Sequence, residues 1–143
     1  MFIKQLSVFI ENKAGRLSEI LNVLSENHID ISAMSIAETT EFGVLRMIVN
    51  NPDVAKEKLR ESGVIVKTTN VLGLALDDKP GALANVITML SEKGVVIEYS
   101  YAFLSSNNNG ALIVLRTDDQ ERAEKLLLEC GVGLINPAEV YRI

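Results

Sequence analysis

The sequence predicts an α+β protein made of two tandem βαββαβ units, each an antiparallel sheet with both helices on one face. The main observation is a short stretch, residues 12–17, that recurs as residues 78–83, displaced by 66 positions from Gly15 to Gly81. Each copy follows an apolar run typical of a strand and precedes an apolar pattern of helical period. The order of strand and helix patterns after the first copy is repeated after the second, which is typical of tandem small domains.

The first repeat contains four strand patterns and two helix patterns. In order they are strand 2–10, helix 15–27, strand 30–39, strand 43–49, helix 52–61 and strand 64–69. The first helix is predicted because leucine and isoleucine recur at spacings of three and four residues from Leu17 to Leu24. Gly63 fits the position after a helix where a left-handed residue is favoured.

The second repeat shows the same order. Its predicted elements are strand 71–77, helix 81–93, strand 96–104, strand 111–116, helix 118–130 and strand 132–136. Asn109-Gly110 indicates a hairpin turn between the two middle strands, and Gly131 fits the end of the last helix. The tail, residues 138–143, is predicted to add an edge strand. The linker at Asn70 has no Gly, Pro or Ser run, so the sequence predicts domains 1–70 and 71–143 without a flexible tether.

Composition narrows the class of protein. The 143 residues are 48% hydrophobic and 23% charged, as in an ordinary soluble globule. The net charge is −5, with 8 basic and 9 acidic side chains in residues 1–70 and 6 and 10 in residues 71–143. A basic stripe for nucleic acid, a membrane-spanning run and a signal peptide are not expected. Cys130 is the single cysteine, which excludes an intrachain disulfide, and the expected location is cytoplasmic.

The βαββαβ pattern is the ferredoxin-like topology, which hosts many functions. An RNA-recognition module would need aromatic residues on the third strands, and residues 43–49 and 110–116 contain none. A copper-chaperone module would need a Cys-x-x-Cys pair to hold the metal, and this chain has a single cysteine, Cys130. An acylphosphatase-like enzyme would need an arginine in the first loop; Arg16 is present there, but the second copy has Ala82.

A strand that ends in Asn or Asp, followed by x-x-Gly-x-Leu at the start of a helix, resembles the ACT domain family. Both copies fit, from Asn12 to Leu17 and from Asp78 to Leu83, and the resemblance covers nearly the whole chain. It implies a non-catalytic regulatory protein that binds a free amino acid or similar effector where two domains meet, without a cofactor or metal. It also implies a stand-alone tandem ACT protein that signals to a metabolic enzyme. Exposed sheet edges in small domains favour strand pairing across chains, so a homodimer is the expected assembly.

The loop chemistry suits an amino acid. The first turn of a helix presents unsatisfied N–H groups to a carboxylate, while the Asn12 carbonyl or the Asp78 carboxylate can accept hydrogen bonds from an ammonium group. Tyr99 and Tyr101 would line the cleft and contribute specificity. The expected ligand-binding residues are Asn12, Ala14, Gly15, Arg16, Leu17, Ser32, Ala33, Met34, Asp78, Pro80, Gly81, Ala82, Leu83, Tyr99 and Tyr101.

Each of these residues also has a structural interpretation. Asn12 and Asp78 are good turn or N-cap residues, and the two tyrosines could cover a helix or a dimer contact. His28 follows a helix and favours a capping or surface role, and Cys130 is expected to pack as a small apolar residue.

The paired aspartates at 77–78 and 118–119 favour turns and helix starts over a metal site. The alternative function is an interaction or assembly subunit whose ligand loops are vestigial. A third hypothesis is a small enzyme that uses His28 or Cys130.

Overall fold

The structure, a computed structural model, describes residues 1–38, 41–104 and 110–141. The chain divides into two compact units. The N-terminal unit is Lys4–Thr69 with the residues from Val140 onward, and the C-terminal unit is Asn70–Glu139 with Met1–Ile3. Among the described residues, no helix has the length and apolar character needed to cross a bilayer.

Seven strands and five helices occur in the described residues, and their order confirms the predicted α+β class with tandem ferredoxin-like topology. In chain order they are β1 (Ile3–Glu11), α1 (Arg16–Glu26), β2 (Ile31–Glu38), β3 (Phe42–Val49), α2 (Pro52–Glu61), β4 (Ile65–Asp77), α3 (Ala82–Glu92), β5 (Ile97–Ala102), β6 (Gly110–Thr117), α4 (Gln120–Glu129), β7 (Gly133–Leu134) and α5 (Pro137–Val140).

The N-terminal unit has the strand order β2-β3-β1-β4, and β3 pairs antiparallel with both β1 and β2. Alternation along the strands sends one set of side chains to the helices. Leu6, Leu45 and Met47 lie fully buried in that layer. From the helices, α1 buries Ile20 and Leu24 and α2 buries Ala55 and Leu59. Both helices therefore share one core on one face of the sheet.

The C-terminal unit repeats this arrangement with the order β7-β4-β6-β5. Leu72, Leu74 and Leu115 form the sheet side of the core and are fully buried. The helix side consists of Val86 and Leu90 from α3, and Ala123 and Leu127 from α4. The repeated motif thus occupies the same place in both units, between the end of a central strand and the start of a core helix.

Three predicted boundaries were wrong. The strands predicted at 64–69 and 71–77 form one continuous strand, β4, because neither glycine nor proline interrupts the chain near Asn70. The strand predicted at 132–136 keeps only Gly133–Leu134. An edge strand was predicted at 138–143, but Pro137–Val140 form α5, and residues 142–143 lie outside the described residues. Asn136 caps this helical turn, since its side-chain oxygen accepts the Ala138 N–H at 3.0 Å. Most of the predicted Asn-Gly turn, residues 105–109, lies outside the described residues.

Candidate functional site

The two repeated loops have the same backbone conformation. Gly15 and Gly81 are the N-cap residues of α1 and α3, with φ of 89° in both and ψ of −13° and −15°. Residues other than glycine rarely adopt this left-handed backbone conformation, which explains the glycine at both positions. A Cβ atom added to either glycine would meet no atom within 4 Å. Both loops therefore leave open space beside the first turn of a helix.

The same three backbone hydrogen bonds hold both loops. The first closes the turn after the strand, the second leads into the helix, and the third is made by the residue four positions after the glycine. In the first loop they run from Lys13 N–H to Glu11 O (2.8 Å), from Arg16 N–H to Lys13 O (3.3 Å) and from Glu19 N–H to Gly15 O (3.0 Å). In the second loop they run from Lys79 N–H to Asp77 O (3.0 Å), from Ala82 N–H to Lys79 O (3.3 Å) and from Asn85 N–H to Gly81 O (2.9 Å).

The first turns of α1 and α3 are not capped by any side chain of the described residues. The other long helix of each unit is capped in the usual way. Asn51 Oδ1 accepts the Val54 N–H of α2 at 3.5 Å, and Asp119 Oδ1 accepts the Arg122 N–H of α4 at 3.2 Å. A side-chain cap satisfies amide donors that would otherwise need another acceptor. The two helices that follow the repeated loops therefore keep their first-turn donors for an acceptor from outside the helix.

Asn12 and Asp78 do not serve as N-caps, since that position belongs to the glycines. Both side chains are exposed, and the Asn12 main chain is fixed by an N–H bond to Glu41 O at 3.2 Å. Ala14 and Pro80 are exposed in the same loops. Leu17 is half-buried against the N-terminal core, whereas the equivalent Leu83 is 41% exposed.

An acid–lysine pair occupies each loop, and neither pair is among the ligand-binding residues predicted from the sequence. Lys13 Nζ lies 2.9 Å from Glu11 Oε2, and Lys79 Nζ lies 3.7 Å from Asp77 Oδ2. The hydrogen bond and charge of Lys13, with a smaller contribution from the charge of Arg16, hold the pKa of the Glu11 carboxyl below its ordinary value. The signal was present in the sequence, because acid-x-Lys occurs in both copies of the motif. These pairs place one cation and one anion at each loop.

The residues predicted on β2 point in different directions. Strand pairing shifts at a bulge between Ile31 and Ala33, so Ser32 has no directly opposite partner on β3. Met34 packs against the helix-side core, while Ala33 is fully buried and follows the bulge on the other face of the sheet. The Oγ atom of Ser32 is buried and has no hydrogen-bond partner among the described residues.

Tyr99 and Tyr101 lie on the face of the C-terminal sheet away from its helices. Ser100, between them, pairs with Leu115, which belongs to the helix-side core, so the two tyrosines point to the opposite face. Their rings stack with centroids 6.4 Å apart and an interplanar angle of 21°. The structure therefore separates the tyrosines from Ala82 and Leu83, which lie on the helix side of the sheet.

Arg16 and Ala82 occupy the first helical position after each glycine. Arg16 is half-buried and its Nη1 lies 2.9 Å from Glu19 Oε2, while its Nε is buried without a partner in the described ranges. Ala82 is half-buried and brings no charge. The two loops thus share a backbone and differ in the charge at the start of the helix.

The other residues considered in the sequence, His28, Cys130 and the paired aspartates, lie at the ends of helices and in turns. His28 follows α1 with φ of 57°, which fits the predicted capping role. Asp119 caps α4, and Asp118 accepts the Val96 N–H at 3.0 Å, as expected for a turn and a helix start. The prediction that Cys130 packs as an apolar residue was wrong: it is exposed, because it lies at the C-cap of α4 beyond the last buried turn. Within residues 1–38, 41–104 and 110–141, no three His, Cys, Asp or Glu side chains are grouped to hold a metal ion.

Comparison with known proteins gives a family match and similar structures. A family model described as "ACT domain pair" matches residues 1–143. Protein BT0572 from Bacteroides thetaiotaomicron is 42% identical over 100% of this chain and 98% of its own, with a TM-score of 0.93. No curated protein matches this chain at a significant level.

Two more distant structures share the fold. The regulatory subunit of aspartate kinase from Thermus thermophilus, in a ligand-free form, is 13% identical, with 88% of this chain and 91% of that chain covered and a TM-score of 0.64. The corresponding subunit from Thermus flavus is 12% identical, with coverage of 90% and 92% and a TM-score of 0.60. At these identities the likeness is one of fold.

Proposed function

This chain belongs to the ACT domain family, as an ACT domain pair, and we propose on that premise that it is a non-catalytic regulatory protein for a free amino acid. It consists of two ACT-like domains, residues 1–70 and 71–143, and binds its effector at the repeated glycine loops. The bound state is recognised by a metabolic enzyme. Effector and partner enzyme are coupled because the effector binds one arrangement of the protein more tightly than another.

One observation carries the proposal: α1 and α3 are uncapped by side chains, while α2 and α4 are capped by Asn51 and Asp119. Uncapped first-turn donors next to open space suit a carboxylate, because the N–H groups and the positive end of the helix dipole point at the same place. The fact that both repeats do this, at the same torsion angle of Gly15 and Gly81, supports a shared role in the family motif.

The ammonium group of the effector is placed on the strand side of the loop. Asn12 is exposed there and offers a carbonyl oxygen, and Asp78 offers a carboxylate at the equivalent position. We place the main site at the first loop, because Pro80 lacks an N–H and removes one donor from the second. The buried Oγ of Ser32 is a further polar group of the first repeat that lacks a partner within the described part of the chain.

The proposed assembly is a homodimer. β2 and β5 lie at the ends of the strand orders of their units, and the outer strand of a sheet is a natural place for pairing with another copy. Light scattering after size-exclusion chromatography measures the mass directly, and a monomer across the micromolar range would contradict this part of the proposal.

Amino-acid binding is tested by thermal denaturation of the full chain in the presence of each of the twenty amino acids at millimolar concentration. A ligand that binds the native state raises the apparent melting temperature by mass action. We expect a clear rise with one amino acid or one related group, and loss of that rise in Asn12→Ala. No rise with any amino acid would overturn amino-acid binding and favour the interaction-subunit alternative.

Asn51→Ala is the matched control for this experiment. It removes an asparagine that caps α2 but lies outside the repeated loops. Its melting temperature without ligand should fall, while the rise caused by the amino acid should stay at the wild-type value. If Asn51→Ala loses the response as completely as Asn12→Ala does, the loss reflects general destabilisation and the site is not at the first loop.

A further inference from the structure

The N-terminal unit has an open cleft at the C-terminal end of α1, where the chain turns into β2. Its volume is about 400 Å³. Four of the residues that line it are apolar and belong to the helix-side core of the unit: Leu21, Leu24, Ile29 and Ile31. Because α1 has 11 residues and a helix rises by about 1.5 Å per residue, the cleft lies about 15 Å from the glycine loop. It is therefore a place apart from the repeated motif.

The polar part of the lining consists of Ser25, His28 and Asp30. All three residues are exposed, and within residues 1–38, 41–104 and 110–141 their side chains make no hydrogen bond or ion pair. A hydroxyl, a neutral imidazole and a carboxylate each offer an acceptor, and the carboxylate adds a negative charge. Among the described residues, no Lys or Arg lines the cleft. These groups suit a positively charged donor such as an ammonium, which has three N–H bonds to donate.

His28 adopts a backbone conformation that glycine adopts after the other long helices. Its φ is 57°, and among the described residues no other residue except glycine has a positive φ. The helices α2, α3 and α4 are each followed by a left-handed glycine: Gly63, Gly94 and Gly131, with φ of 86°, 81° and 74°. A Cβ atom raises the free energy of this conformation, so glycine would form the turn at lower cost. Backbone strain of this kind is typical of functional sites.

The second repeat has the same main chain at the equivalent place after α3. Three hydrogen bonds hold it in each unit. In the N-terminal unit they run from His28 N–H to Ser25 O (3.1 Å), from Ile29 N–H to Leu24 O (2.9 Å) and from Asp30 N–H to Asn50 Oδ1 (3.0 Å). In the C-terminal unit they run from Gly94 N–H to Ser91 O (3.0 Å), from Val95 N–H to Leu90 O (3.0 Å) and from Val96 N–H to Asp118 Oδ1 (3.0 Å). The two places therefore differ mainly in their side chains.

The apolar positions of the cleft stay apolar in the second repeat, whereas two polar positions do not. Displaced by 66 residues, the apolar positions hold Ile87, Leu90, Val95 and Ile97. His28 and Asp30 are replaced by Gly94 and Val96. The second repeat thus has the same frame without the imidazole and the carboxylate, which makes it an internal reference for what these two groups add.

We propose that the cleft at the end of α1 binds a small primary amine with an apolar body. The ammonium group lies among Ser25, His28 and Asp30, and the apolar body covers the half-buried Leu21 and Ile31. A free amino acid is disfavoured, because its carboxylate would be repelled by the charge of Asp30 with no cation in the lining to offset it. The proposal goes beyond amino-acid binding at the glycine loops, and neither site requires the other.

The test is a titration of the full ¹⁵N-labelled chain with 3-methylbutylammonium, at a pH above the ordinary pKa of histidine, followed by amide NMR spectra. We expect saturable shifts at the amides of Ser25, His28 and Asp30. The anion 4-methylpentanoate, which has the same apolar body, should leave these amides unchanged. Absence of saturable shifts at these amides, or equal shifts with the anion, would overturn the proposal.

The double variant H28G/D30V gives this cleft the lining of the second repeat. It should fold, because glycine fits the left-handed position and Asn50 holds residue 30 through its main chain. It should weaken amine binding by about fivefold or more. If the variant folds and binds the amine with wild-type affinity, the cleft is not the site.

The reverse exchange, G94H/V96D, should create a second saturable set of shifts at the amides of Val95 and Ile97. If H28G/D30V does not fold, this variant decides, and no new shifts in it would contradict the proposal. Asn12→Ala separates the amine from the effector of the glycine loops. It should leave the shifts caused by the amine unchanged, and their loss in this variant would place the amine at the first glycine loop and overturn the proposed site.

Discussion

The two glycine loops have the same main chain and different side chains. Gly15 and Gly81 have the same φ, and each loop is closed by the same three backbone hydrogen bonds. Next to this shared frame, the first helical turn carries the Arg16–Glu19 ion pair in one repeat and Ala82 and Asn85 in the other. The backbone motif therefore fixes where a ligand can approach, whereas the side chains of the first helical turn determine which charge it meets there.

The largest loss of stability that we expect comes from a substitution on the face of the C-terminal sheet away from its helices. Gly73 occupies the position of Ser7 in the other repeat, and a Cβ there would lie 2.8 Å from Ile3 Cδ1 and 3.1 Å from Ile135. Gly73→Ala should therefore lower the free energy of unfolding by about 1–3 kcal/mol through overpacking. Chemical denaturation of the full chain measures this.

Gly43→Ala is the control for this substitution. A Cβ at Gly43 would lie 3.4 Å from Ile10 Cγ1, an ordinary contact. If Gly73→Ala is no more destabilising than Gly43→Ala, the face of the C-terminal sheet away from its helices tolerates more volume at Gly73 than the contacts with Ile3 and Ile135 indicate.

The second prediction tests whether the two loops are equivalent in their main chain. Gly15→Ala and Gly81→Ala force alanine into the left-handed region at equal φ, so each should cost about 1–2 kcal/mol of unfolding free energy. Steric contact adds nothing, since an added Cβ has open space at both positions. Denaturant unfolding of both variants should give losses that agree within error. A loss in only one of them would show that the loops differ in backbone strain.

Much of the fold was readable from the sequence because its signals were local. The predicted bounds of α2 are those observed, since Asn51 and Pro52 mark its start and Gly63 its end. Asn136 and Pro137 are the same kind of start signal, but the tail after them aligns roughly with the segment that leads into the second repeat, and this alignment suggested an edge strand. The helical turn α5 was therefore missed.

The placement of the site residues was less readable because it depends on strand register. β5 has a bulge between Ile97 and Tyr99, as β2 has between Ile31 and Ala33. A bulge changes which face the following side chains occupy, so alternation counted from the half-buried Ile97 does not give the face of the tyrosines. The glycine loops needed no register information, because each lies between the end of a strand and the start of a helix, as the motif predicted.

The third prediction compares the stability lost when a helix-capping side chain is removed with the stability lost when an exposed side chain of a glycine loop is removed. Asn51→Ala and Asp119→Ala remove side-chain caps and should each cost about 1 kcal/mol of unfolding free energy. Asn12→Ala and Asp78→Ala change exposed side chains that cap no helix, so we expect changes within about 0.5 kcal/mol. Urea unfolding without ligand compares the four variants. A cost at Asn12 equal to that at Asn51 would assign Asn12 a structural role.

The smallest effect concerns the acid–lysine pair of the first loop. Because Lys13 lowers the pKa of Glu11 in the folded protein, this pair stabilises the fold above the ordinary pKa of a glutamate, and the stabilisation is lost as the pH falls through the lowered value. Lys13→Met should move the Glu11 pKa back up towards its ordinary value, as followed by carboxyl ¹³C NMR during a pH titration. Arg16→Gln is the control and should raise the pKa less, because the charge of Arg16 is the weaker cause. A larger rise in Arg16→Gln than in Lys13→Met would mean that Arg16 leaves Glu19 and turns towards the loop, where it could meet the carboxylate of an effector.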